Sequence, residues 1–202
     1  MDVKKFQAVL FDLDGVLLDS SDTWWMAVDA TLKKFDKPGI DKESFLKTYW
    51  GPNLMISFEK IGLGEEAIQD CNMQYYSFAD KIKLFPETKY VLSSIKKKFR
   101  VGLVTNTPKE ITLFSLKKFM LMQYFDGIIC GDEVDHGKPD PEMMFKVCKR
   151  LGVETKNTVL VGDTSADISA GKKAGCFVIG LRIGDGDKRV ESLGEVEKFL
   201  GV

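Results

Sequence analysis

Asp12 and Asp14 stand two residues apart at the end of an apolar run, Ala8 to Phe11, in the stretch AVLFDLDGVLLDS, residues 8–20. Strand residues two apart project to the same side. If the strand stops near Asp12, both acids instead enter a turn that Gly15 allows to bend sharply. Either way, like charges are crowded where burial is expected, which is costly unless a cation or a proton compensates. A further carboxylate, Asp163, ends the run TVLVGD, and Asp167 follows four residues later. Three carboxylates at strand ends suit a hard cation such as Mg2+, which takes oxygen ligands and usually keeps waters. Thr105 and Asn106 follow another apolar run, just before TPKE, and Lys138 sits in HGKPDPE ahead of a helical stretch. A hydroxyl, a lysine and helix N-termini suit a phosphate. Taken singly, each has an ordinary explanation: an Asp or Thr as a helix cap, a lysine on the surface. Taken together, metal, phosphate and a spare carboxylate imply phosphoryl transfer with one carboxylate as nucleophile.

The elements that must hold these groups are legible as short continuous apolar runs. They are FQAVLFD (6–12), FRVGLVT (99–105), GIIC (127–130), NTVLVGD (157–163) and CFVIGL (176–181). Continuous rather than alternating apolar runs mark strands covered on both faces. Helical segments separate them, which predicts an α/β fold built on a mainly parallel sheet. Open parallel sheets bind ligands beyond the carboxyl ends of their strands, where all these polar residues fall. In TPKE, Thr107 is the expected N-cap, Pro108 the first helical residue and Glu110 the partner in a capping box. Asp140 and Pro141 are expected to open a helix that Gly152 ends, and Gly175 to stop the one running through SADISAGKKAG. A last amphipathic helix is expected over 191–200. Residues 20–82 hold no convincing strand, and Trp24, Trp25, Val28, Leu32 and Phe35 recur at helical spacing. A single crossover does not need so much helix. The expectation is a helical insertion, residues 20–82, in a core made of 1–19 and 83–202. The two tryptophans are expected to pack within that insertion, with the alternative that one faces the active site. His136 is expected to be a loop residue.

The bulk properties exclude several classes. Lys+Arg 29 against Asp+Glu 30 leaves a net charge of -1, which argues against a nucleic-acid partner. The N-terminal apolar run is short and broken by aspartates, unlike a signal peptide, and no stretch has the length of a membrane span. Four scattered cysteines without a CxxC pair, and a single histidine, speak against a zinc site. Buried, reduced thiols and a cytoplasmic location are the expectation. The oligomeric state is left open between monomer and homodimer.

The segments FDLDGVLLDS, LVTNTP, GKPDPEMM and VGDTSADISAGKKAG resemble, in type and order, the four motifs of the haloacid dehalogenase-like hydrolase superfamily. The resemblance covers essentially the whole chain. VTNTP and YWGP make the phosphoglycolate phosphatase-like subgroup the most similar. The resemblance implies a Rossmann-like three-layer α/β/α core with an inserted all-α cap. It implies that Asp12 attacks phosphorus to form an aspartyl-phosphate, and that Asp14 protonates the leaving oxygen and later activates water. Thr105 and the Asn106 backbone amide would hold the phosphoryl oxygens, and Lys138 would neutralise charge. Asp12, Asp163 and the Asp14 carbonyl oxygen would ligate Mg2+, with Asp167 a further or indirect ligand. A dehalogenase of this superfamily has no second aspartate in its first motif, so Asp14 favours phosphate over halide. Sugar-phosphate mutases share Asp14 but typically carry a histidine early in the cap, where this chain has Trp24. The cap is expected to open and close, with substrate choice residing in residues such as Tyr49 to Asn53. The implied activity is a phosphatase for a small phosphorylated metabolite, with phosphoglycolate foremost. A phosphosugar phosphatase, a phosphosugar mutase and an inorganic pyrophosphatase are alternatives within the same chemistry. A non-catalytic regulatory binder is an alternative of another class.

Overall fold

A computed structural model of the chain describes residues 5–202, so the first four residues of the expected 1–19 core segment lie outside the described residues. Six strands form one sheet in which every pairing is parallel: β1 (Ala8–Phe11), β4 (Arg100–Val104), β5 (Gly127–Ile129), β6 (Thr158–Gly162), β7 (Phe177–Leu181) and β8 (Lys188–Val190). Their order is β5-β4-β1-β6-β7-β8. All four side chains of β1 are fully buried, which explains why its sequence is apolar without alternation. Val9 and Phe11 enter one hydrophobic cluster and Ala8 and Leu10 another.

The second cluster lies under α7 (Glu142–Leu151) and α8 (Ser165–Ala174), through Met143, Val147 and Ala170. The first lies under α5 (Thr88–Lys96), α6 (Lys109–Lys118) and α9 (Leu193–Leu200), through Leu92, Ile111 and Val196. The result is the expected three-layer α/β/α arrangement. Gly152 and Gly175 end α7 and α8 in left-handed conformations, as anticipated.

Four helices occupy the segment expected to be helical: α1 (Ser21–Lys34), α2 (Lys42–Thr48), α3 (Leu54–Glu59) and α4 (Glu65–Ser77). The first cluster runs on from the sheet into these helices through Trp24, Val28, Phe45, Phe58 and Tyr75. The chain enters and leaves them through a two-stranded antiparallel ribbon, β2 (Leu18–Asp19) with β3 (Lys83–Leu84), so the two crossings run side by side.

Three elements depart from the expected boundaries. Helix α6 begins at Lys109, Pro108 occupies the capping position and no side chain caps it. The Thr107 hydroxyl is used elsewhere, as a donor to Asp14. Helix α7 begins at Glu142, one residue past the expected Pro141, and Asp140 still accepts from the Glu142 N–H at 3.0 Å. Helix α9 begins at Leu193, with Ser192 as its cap, two residues after the expected start.

Candidate active site

Because β1, β4 and β6 are adjacent and parallel, the residues that follow them emerge at one edge of the sheet. Asp12 follows β1, Thr105 follows β4 and Asp163 follows β6. Lys138 reaches the same point from the loop before α7 and is 3% exposed. Its Nζ lies 2.8 Å from Asp12 Oδ1 and 2.7 Å from Asp167 Oδ1, and donates to the Val104 carbonyl at 3.2 Å. Asp167 sits in the first turn of α8. Its Oδ2 accepts from the Thr164 N–H at 3.1 Å and the Thr164 hydroxyl at 2.6 Å, and its N–H donates to the Thr164 hydroxyl at 3.3 Å, which closes a capping box. The sequence-predicted lysine and three of the four aspartates are therefore in one cluster.

Oxygens of Asp12, Asp163 and Asp167 lie within 4.8 Å of one another. One ammonium faces three carboxylates, and the electrostatics follow from that count. Burial alone would lower the Lys138 pKa, but Asp12 and Asp167 outweigh it and hold the ammonium protonated. Burial pushes Asp12 well above the usual carboxylate range. Lys138 opposes that rise, and Asp167, Asp163 and Asp14 add to it. Asp163 is pushed up to about 7, by burial first and Asp167 second. Its Oδ2 accepts from Trp50 Nε1 at 3.3 Å, while its Oδ1 is buried with no hydrogen-bond partner among the described residues. An orphaned carboxylate oxygen within an excess of negative charge fits a hard divalent cation. Gly15 keeps this space open. Its φ of +83° suits glycine, and a Cβ there would lie 2.0 Å from Asp163 Oδ2.

Asp14 points elsewhere. Its Oδ1 accepts from the Ser20 hydroxyl and from Trp24 Nε1 at 3.3 Å, and its Oδ2 accepts from the Thr107 hydroxyl at 2.7 Å. The donors come from the turn before α1, from α1 and from the loop before α6. Two carboxylates close in sequence thus have separate surroundings, one beside an ammonium and the other among neutral donors. Thr105 is buried, and its hydroxyl accepts from the Thr107 N–H at 3.1 Å. The Asn106 side chain accepts from the Lys138 N–H at 2.9 Å and donates to the Lys138 and Gly51 carbonyls at 3.0 and 2.9 Å. It ties the lysine loop to the YWGPN segment of the helical insertion.

A cavity of about 140 Å³ lies between these groups and the helices above, lined on the sheet side by Asp12, Asp14, Thr105, Asn106 and Lys138. Trp24 lines it and also packs on Tyr75, with ring centroids 4.5 Å apart. Trp25 instead donates to the Ile40 carbonyl, inside the helical layer. His136 is an exposed loop residue, as expected. Ser20 and Thr107 were not singled out as site residues by sequence reasoning. The only signal was a hydroxyl six residues after Asp14 in the first case, and in the second a capping pattern that pointed to a different task.

The profile of the haloacid dehalogenase-like hydrolase family matches residues 9–181. A phosphoglycolate phosphatase of Aquifex aeolicus is 34% identical over 174 residues, covering 84% of this chain and 81% of that protein. A pyrophosphatase of Bacillus velezensis is 32% identical, covering 88% of this chain and 84% of its own length. The crystal structure of a haloacid dehalogenase-like hydrolase of Bacteroides fragilis superposes with a TM-score of 0.81 at 26% identity, over 95% of this chain and 99% of that one. With the strand-end carboxylates, the buried lysine and the matched span in agreement, the chain belongs to the haloacid dehalogenase-like hydrolase family.

Proposed function

We propose that the protein is a Mg2+-dependent phosphatase that hydrolyses a small phosphorylated metabolite through an aspartyl-phosphate on Asp12. The observation that carries this reading is the buried Lys138 ammonium bridging Asp12 and Asp167 beside Asp163 Oδ1, which has no partner among the described residues. The kinship with a phosphoglycolate phosphatase and a pyrophosphatase, both of which act on phosphate compounds, supports it. Asp12, Asp163 and the Asp14 backbone carbonyl would hold the ion. Both Asp167 oxygens are engaged, by Lys138 and Thr164, so its main task is to position the lysine. When bound, the ion supplies charge neutralisation and polarises a phosphoryl oxygen.

The protein's own residues do the rest. Asp12 attacks phosphorus, and the bond to the leaving oxygen breaks with its electron pair on that oxygen, which takes a proton from Asp14. Water then attacks phosphorus, returns a proton to Asp14 and frees the Asp12 carboxylate. Lys138 offsets charge on Asp12 and on the phosphoryl group, while the Thr105 hydroxyl and the Asn106 N–H orient its oxygens. The helices of residues 20–82 act as a cap on the core of 1–19 and 83–202, excluding water during the first transfer. Phosphate release from a panel of small phosphates, phosphoglycolate included, tests the reading with Mg2+ and with chelator. Release should require the ion and vanish in Asp12→Asn; release that survives either removal would refute it.

A further inference from the structure

The half of the cavity opposite Lys138 has a composition that the phosphoryl chemistry does not require. Trp24, Phe45, Tyr49, Trp50, Leu54 and Met55 face it from the helical insertion. Among the described residues that line the cavity, Lys138 is the sole cation, and its ammonium is already shared between Asp12 and Asp167. The remaining charges are acidic, Asp14 and Asp132 beside Asp12, and Asp132 accepts from the Lys109 N–H. The lysines of α1 and α2 are committed outside it. Lys33 pairs with Asp29, Lys34 with Asp70, Lys42 with Asp22 and Lys47 with Glu43, all with substantially exposed ammonium chains. The uncharged polar groups on that side include the Asn53 and Asn72 amides, and Asn53 Oδ1 is taken by the Met55 N–H at 2.9 Å.

A leaving group that carries its own anion, whether a carboxylate or a second phosphoryl group, would meet aromatic and aliphatic side chains and the Asp132 carboxylate here, since Asp14 holds the proton it gives up. A buried charge without a partner is heavily disfavoured, and like charges repel an approaching ligand. An apolar body gains by leaving water against the same surface. Resting on the phosphatase reading above, we propose that the substrate is a phosphate monoester of an uncharged, mainly apolar alcohol. The alcohol leaves as neutral ROH after taking the proton from Asp14, so no charge is stranded among the aromatic side chains. Phosphoglycolate and pyrophosphate, whose leaving groups are anions, rank below it.

The test compares kcat/KM for benzyl phosphate, glycerol phosphate, phosphoglycolate and pyrophosphate under saturating Mg2+. Glycerol phosphate and phosphoglycolate are both esters of small, polar primary alcohols, so their comparison reads the charge of the leaving body, and benzyl against glycerol phosphate reads its apolar character. Benzyl phosphate should exceed phosphoglycolate and pyrophosphate by at least tenfold and glycerol phosphate by several-fold. Met55 is half exposed at the cavity mouth and tolerates a new side chain. Met55→Lys should raise the ratio of phosphoglycolate to benzyl phosphate turnover at least tenfold by supplying the missing counter-charge. Equal or better turnover of an anionic substrate by the parent protein overturns the inference and leaves the phosphatase reading standing. Preference for glycerol phosphate overturns its apolar half. No Asp12-dependent release from any of the four sinks the phosphatase reading itself, and the inference with it.

Discussion

Replacing Asp163 with asparagine separates the charge of the carboxylate cluster from its shape. In the metal-free protein, burial and Asp167 raise the Asp163 pKa from its ordinary value of 3.8 to about 7. Between those values the folded chain binds more protons than the unfolded chain. Stability therefore falls as pH rises through that window, and the loss is complete above it. A rise of about 3 units corresponds to at most about 4 kcal/mol by pH 8. Asparagine removes the charge and keeps the contacts. Its carbonyl can stay at the Oδ2 position on Trp50 Nε1, and its NH2 then occupies the Oδ1 position, which has no partner among the described residues. For a chain of this size each kcal/mol moves the melting temperature by about 2–4 °C. In chelator, Asp163→Asn should melt several degrees above the parent at pH 8, bounded by roughly 8–16 °C, and only about 2–4 °C above it at pH 4.5, where about 1 kcal/mol of the difference is already present. Mg2+ should raise the parent's melting temperature at pH 8 and leave the variant's nearly unchanged. Differential scanning fluorimetry at both pH values, with and without the ion, reads all four quantities. Comparing variant with parent cancels the titration of distant groups. A variant no more stable than the parent in chelator at pH 8 would refute the account of the cluster as charge held in want of a cation.

Further substitutions probe the scaffold. Lys138→Met leaves Asp12 and Asp167 buried without a cation and should cost about 3–5 kcal/mol in urea unfolding. Adding Asp167→Asn should restore part of that loss, and a single variant of parental stability would show that the ion pairs contribute nothing. Gly102→Ala places a Cβ 2.6 Å from Leu10 Cδ2 and 3.0 Å from Val147 Cγ2, where β4, β1 and α7 meet. It should destabilise by about 1–3 kcal/mol. Gly184→Ala, with open space around it, should stay within about 0.5 kcal/mol of the parent in the same titration.

The five strands announced by apolar runs are all present because a strand buried on both faces has little freedom in composition. Val9 and Phe11 pack one way, Ala8 and Leu10 the other. β8 was not legible, since Lys188–Val190 lies at the sheet edge with Arg189 exposed, and edge strands need no apolar run. β2 and β3 are two residues each and are defined by pairing across the whole of residues 20–82, which no local pattern records. Helix α3 is too short, at 6 residues, to show a period. In the site, Asp12 and Asp163 were legible because carboxylates at strand ends stand out against apolar flanks, and Lys138 and Asp167 through their places in HGKPDPE and VGDTSAD. The partners of Asp14 were not. Ser20, Trp24 and Thr107 converge on it from three segments, and each also fits a purely local role. For Thr107 the local capping signal was strong, but a carboxylate acceptor won the hydroxyl.

The central position of β1 also governs the order in which a growing chain can become competent. Ala8 pairs with Arg100 on one side and Thr158 on the other. At about 5–20 residues per second of synthesis, β1 leaves the ribosome roughly 5–20 s before β4 exists and longer before β6. Throughout that interval AVLF has two unpaired edges and no charge to protect them. The contacts between α1 and α4 need only residues made in the meantime, so the helical layer can assemble first. Asp12 cannot meet Asp163 until β6 has docked, so under the proposed mechanism the incomplete polypeptide is catalytically silent.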